Sequence, residues 1–191
     1  MSPAAAGGLG EDAGLAGLRD VLAALGATAP RLVYAKKLNR SDVIVSQARL
    51  LIPCRGASDG DDGDARGLTA FLAADEKNRV RAGRGLPFYL QGMEVLAFDR
   101  HGRRFGMTLG EVRSIRGGCY RLFGGGWGHF VGDNQLAEAL AAAKEAGREL
   151  EVELWAFRSA ELRLPGRRRA EAADQHPDGA LGVAILIRNR G

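Results

Sequence analysis

Two β-rich runs, "MEVLAF" at 93–98 and "RFGMTL" at 104–109, are separated only by "DRHGR", with Gly102 as its turn residue. So short a connection joins antiparallel neighbours, because a parallel crossover needs a dozen or more residues. This hairpin sets the fold class. The rest of the chain continues it: "RLVYA" from Arg31, "RLLIP" ending at Pro53, "GCYRLF" at 118–123, the alternating "LEVELWAFRS" at 150–159 and the terminal "ALGVAILIR" all read as strands. Helical spacing is confined to a few segments. They are 15–25, where Leu15, Leu18, Val21, Leu22 and Leu25 share a face closed by Gly26, then 68–72 with Leu68, Phe71 and Leu72, Thr69 able to cap, and 135–146. The last is expected to start from Asp133 or Asn134 and to stop at Gly147. Strands do not alternate with helices as in a doubly wound sheet. The expectation is a mainly β (α+β), barrel-like domain with two or three short helices.

A length of 191 residues allows one domain with a substantial core. The reading divides it into an Ala/Gly-rich segment, 1–30, and a domain, 31–190, with Pro30 at the boundary. The 15–25 helix has three readings, a helix lying on the domain, a short partner-binding helix or a loosely docked, mobile helix. An acidic, Gly-rich stretch at 56–66 and a polar one at 165–179 read as flexible loops, while "NRSD" (39–42) reads as a turn and "GGGWG" (124–128) as a tight bend beside a buried Trp127. No apolar run reaches the roughly 18 residues of a membrane span. The N-terminus lacks the basic and continuous apolar regions of a secretory signal. Cys54 and Cys119 have no CxxC spacing, which argues against a disulfide framework or zinc site and for a reducing compartment.

The net charge of +4 matters less than its placement. Residues 31–55 carry Arg31, Lys36, Lys37, Arg40, Arg49 and Arg55 against Asp42 alone. Residues 99–121 carry Arg100, Arg103, Arg104, Arg113, Arg116 and Arg121 against Asp99 and Glu111. A fold that joins these segments makes a polyanion site; otherwise they are solvated surface charge. Catalytic signals are missing. His101 lies in a hairpin turn, His129 and His176 belong to no HExxH or triad context, and "GGGWG" lacks the GK[ST] of a phosphate loop. No cofactor, metal ligand set or small-molecule substrate is expected.

One motif extends over eighteen residues. Lys36, Leu38, Ser41, Asp42, Val43, Gln47, Arg49, Leu50, Leu51, Ile52 and Pro53 fit K-x-L-x-x-S-D-V-x-x-x-Q-x-R-L-L-I-P. Further along, "LTAFLAADE", "GMEVLAFD", "YRLFGGGWGHFVGDNQL" and "LWAFRS" follow in order. Together these resemble the plant B3 DNA-binding domain, closest to a divergent subgroup first catalogued as a plant domain of unknown function. The resemblance covers about residues 31–190. It implies a seven-stranded open β-barrel, the B3 pseudobarrel, with two arms that enter the DNA major groove. The N-arm would be 44–49, with Ser46, Gln47 and Arg49. The C-arm would be a loop, 113–119, with Arg113, Ser114 and Arg116. Arg and Gln can pair with guanine and adenine edges, and Lys36, Lys37 and Arg40 suit phosphate contacts. The implied partners are double-stranded DNA and other transcriptional proteins, in the nucleus and away from membranes. The chain departs from the family at "GGG" (124–126), where a polar pair is usual, at Arg148, where an acid is usual, and in its acidic 56–66 loop. Those departures keep a second class in view, an interaction module on a B3-like scaffold with weak or lost DNA binding. An enzyme is a distant third: restriction endonuclease recognition domains share the fold, but no metal-binding carboxylate set stands out.

Overall fold

The computed structural model describes residues 13–44, 49–53, 67–81, 92–114, 117–163 and 176–190. Seven strands form one mixed sheet: β1 (Arg31–Lys37), β2 (Arg49–Pro53), β3 (Met93–Phe98), β4 (Arg104–Ser114), β5 (Gly117–Phe123), β6 (Glu149–Ser159) and β7 (Ala180–Arg190), in the order β1-β6-β7-β3-β4-β5-β2. All pairings are antiparallel except the short β3–β7 contact, where Leu96 lies opposite Gly182. The sheet curls into a nearly closed barrel. Val33 of one edge strand and Leu50 and Ile52 of the other belong to the same buried cluster, so the two edges turn toward one interior.

The interior is filled by alternate residues of the strands, among them Val95 and Ala97, Met107 and Leu109, Val152 and Leu154, and Val183 and Ile185. Many of the intervening residues of β3, β6 and β7 are buried too. Leu96, Phe98, Phe157, Ala184 and Leu186 form a second cluster outside the barrel, covered by Leu15, Leu18 and Leu22. Those leucines come from a 3-10 turn (Ala13–Leu15) and from α1 (Ala16–Ala24). This explains the near-continuous apolar runs "VLAF" and "VAILI": over those residues the strands have little solvent face. Of the three readings of the N-terminal helix, the structure has the first, and the folded unit extends upstream of Pro30. Gly102 turns the β3–β4 hairpin with φ +78°, and a Cβ there would stand 2.7 Å from Val21 Cγ2, so its missing side chain also admits α1.

Six α-helices and the 3-10 turn occur among the described residues, more than the two or three expected. The extra ones are short. "NRSD" is not a plain turn but opens α2 (Arg40–Val43), where the Asp42 carboxylate accepts from the Asn39 N–H at 2.9 Å. α3 (Leu68–Phe71) starts from Gly67 with no side-chain cap; Thr69 instead donates to the Tyr120 hydroxyl at 3.3 Å. α4 (Ala74–Arg81) follows. The glycine-rich bend is the first turn of α5 (Gly125–Asp133). Asp133 therefore ends one helix rather than starting the next, and α6 (Leu136–Glu145) begins after Gln135, which has φ +49°. Glycine density alone hid α5, because its helix-favouring packing comes from tertiary contact. Trp127 is fully buried, stacks on Phe130 at 5.5 Å and donates its indole N–H to the Asp42 carbonyl at 2.9 Å. α5 thereby fixes α2 in place. The 56–66 loop lies outside the described residues, as does 165–175 of the polar loop.

Candidate nucleic-acid interface

The β2–β5–β4 ladder is where the two basic segments meet. Arg49 lies opposite Phe123, Leu51 opposite Arg121 and Pro53 opposite Cys119. Alternation along "GCYRLF" sends Tyr120 and Leu122 into the core and leaves Cys119 and Arg121 on the outer face with Arg49. Arg49 and Arg121 are thus diagonal neighbours on that face. Burial lowers the Arg121 pKa, and the Arg49 charge lowers it further, while Cys119 acts in the opposite sense. The guanidinium carbon of Arg121 sits 4.2 Å from the centroid of the Phe123 ring, a cation–π contact that holds it over an aromatic face. Two fixed, mutually repelling cations attract a shared anion more strongly than either does alone. The nearest acid on β4, Glu111, is engaged by Arg81 at 2.7 Å.

The strand residues that flank the expected arms lie at the two ends of this ladder. Arg49 begins β2 at the Phe123 end, directly after 45–48. At the other end Ser114 pairs with Gly117 and Arg113 with Gly118. Arg113 and Ser114 are therefore the last residues of β4, and Gly117–Cys119 begin β5, rather than all lying in an extended loop. The connection between the strands is only 115–116. Phe123 and Gly117 are six residues apart on one strand, roughly 20 Å at about 3.3 Å per residue. Ser46, Gln47 and Arg116 lie outside the described residues, and Arg113 and Ser114 are placed by backbone register.

The lysines of β1 are differently employed. Lys36 is largely buried and bonds the Asp42 carboxylate at 2.8 Å, which ties β1 to α2. Lys37 pairs with Glu149 in solvent, a contact of small net worth. Arg40 is exposed at the first position of α2. Of the four described side chains expected to meet DNA, Arg40, Arg49 and Lys37 face water, while Lys36 is a structural latch.

Burial raises the Tyr34 pKa, with Asp42 and then Cys119 adding to it, so β1 lies within electrostatic reach of β5 across the barrel's closure. The Cys119 thiol is likewise raised by burial, against the opposing pull of Arg121 and Arg49. Reading the sequence for site residues missed Arg121 and Cys119. The signal was present in the period-2 alternation of 119–123, which separates Cys119 and Arg121 from Tyr120 and Leu122. Among the described residues no three His, Cys, Asp or Glu side chains gather to hold a metal ion, and no helix is long and apolar enough to cross a membrane. No protein-family model matches the chain, and no curated protein matches it significantly.

Proposed function

We propose that the chain is a sequence-specific duplex DNA-binding protein of the B3 type, acting in transcriptional regulation in the plant nucleus. The observation that carries this reading is the adjacency of Arg49 and Arg121 on the outer face of a ladder whose ends bear the two candidate arms. In this reading Arg49, Gln47 and Ser46 enter the major groove from one end. Arg113, Ser114 and Arg116 enter from the other. Arginine donates in pairs to guanine O6 and N7, and glutamine pairs with adenine N6 and N7. Arg121, held over Phe123, and Arg40 and Lys37 on the rim supply phosphate contacts that set register without reading sequence.

The test is selection from a random duplex library with the purified chain and with an Arg113→Ala/Arg116→Ala variant. The proposal expects an enriched motif that the variant loses, at about 1–3 kcal/mol per base-reading arginine. Equal enrichment by both would remove the C-arm from the reading. No enrichment by either would favour the second reading, an interaction module on the same scaffold. Two observations favour that second reading: Lys36 is bound to Asp42, and 124–126 offers no side chain to the backbone of a duplex.

A further inference from the structure

A groove of about 660 Å³ runs between α2 and α6, lined by no residue of β2, β4 or β5 but sharing Lys37 and Arg40 with the rim proposed to contact DNA. Its floor is apolar: Leu38, Val43 and Leu150 are buried beneath it, and Ile44 and Leu140 are partly exposed along it. Its rim is basic. Lys37 and Arg40 stand on one side, Lys144 and Arg148 on the other, and the one acid, Glu149, is paired with Lys37.

The wall contributed by α6 consists of Ala137, Leu140, Ala141 and Lys144. These are positions i, i+3, i+4 and i+7, a straight stripe about 10 Å long at 1.5 Å per residue. A stripe of that length and spacing matches a second helix laid alongside, whose own i, i+3/i+4 and i+7 anchors repeat on the same rise. The small Ala137 and Ala141 leave room for such anchors.

We propose that this groove docks an acidic amphipathic helix of a partner protein, with apolar side chains on Leu38, Ile44 and Leu140 and carboxylates against Arg40, Lys144 and Arg148. The complementarity is of both kinds at once, apolar below and cationic at the edges. The chain's own acidic run, Asp59 to Asp64, does not fit, because it carries charge and no large apolar side chain. The inference does not depend on DNA binding.

The probe is a fluorescein-labelled Ala-based peptide of about 20 residues, long enough to be helical in water, with Leu at i, i+3, i+4 and i+7 and a few Glu on its edges. A comparison peptide has Ser for each Leu and the same charge. Binding is read by fluorescence anisotropy on the full chain and on Ala141→Glu/Lys144→Glu, two exposed positions whose change leaves the core intact; a thermal melt checks folding. The proposal expects the Leu peptide to bind, the Ser peptide not to, and the variant to lose about tenfold or more, equivalent to about 1.4 kcal/mol. Equal binding of both peptides, no response to the variant, or binding of laurate without the Leu peptide would overturn it.

Discussion

Arg158 and Glu76 form a two-bond ion pair inside the protein, Nη1 to Oε1 and Nη2 to Oε2, each at 2.6 Å. Both are almost fully buried. Arg158 also donates to the Phe71 carbonyl at 2.9 Å and lies over the Phe71 ring. It joins β6 to the α3–α4 segment, whose Leu68, Leu72 and Val80 pack into the main core and whose Arg81 pairs with Glu111 of β4. Removing one partner strands the other charge in a medium that solvates it poorly. Glu76→Ala and Arg158→Ala are each expected to cost about 3–5 kcal/mol in urea unfolding. A loss under about 1 kcal/mol would mean that water reaches the pair.

Gly126 and Gly125 should respond in opposite directions. A Cβ on Gly126 would stand 1.9 Å from the Gly106 carbonyl oxygen on β4, a backbone atom with no room to retreat. Around Gly125 there is open space. Gly126→Ala is expected to cost about 1–3 kcal/mol or more through overpacking. Gly125→Ala should be neutral or stabilise by up to about 1 kcal/mol, since it lowers the freedom of the unfolded chain. Chemical denaturation of both variants decides it; similar effects would contradict the α5–β4 packing.

Lys36 and Arg40 separate structural charge from charge proposed to contact DNA. Lys36→Met removes the hydrogen-bonded ion pair to Asp42 and should destabilise by about 1.5–3 kcal/mol while leaving the salt dependence of duplex binding unchanged. Arg40→Ala should leave stability nearly unaltered and lower the slope of log K against log salt by about 1. The reverse pattern would reassign both.

Cys119 reports on the same face. Its folded pKa lies above the free-thiol range of about 8.5, chiefly because of burial. The proton is therefore held more tightly folded than unfolded. The associated stability is fully present below the unfolded pKa and is lost as pH rises through the folded one; Tyr34, also raised, adds a loss of the same sign at higher pH. In a Cys54→Ser background, iodoacetamide should label Cys119 with a midpoint above that of free cysteine. Bound duplex DNA should slow the labelling. A midpoint at or below the free value would show the two arginines outweighing burial.

The strands and the chain's antiparallel character were legible because hydrophobic alternation is local. "LEVELWAFRS" and the β3–β4 hairpin needed no tertiary information. α5 was not legible, because three glycines conceal a helix held by Trp127 and its bond to Asp42, 85 residues away in sequence. The start of α6 was misplaced for a related reason: Asn134 has cap chemistry, but its side chain donates back to the Phe130 carbonyl at the end of α5. The Glu76–Arg158 pair spans 82 residues, and no spacing announces it. Charge counting marked both basic segments, but only the β2–β5 register singled out Arg49 and Arg121 as the residues that meet and Lys36 as one that is engaged elsewhere.

The surface proposed to bind a duplex is the Arg49–Arg121 face. Titration of a duplex carrying the selected motif, across a range of salt concentrations, with the full chain and with Arg49→Ala/Arg121→Ala tests it most directly. Each phosphate neutralised contributes about 0.9 to the slope of log K against log salt. A steep slope is expected for the full chain, with that of the double variant shallower by up to about 2. A double variant that remains folded, with slope and affinity unchanged, would contradict it.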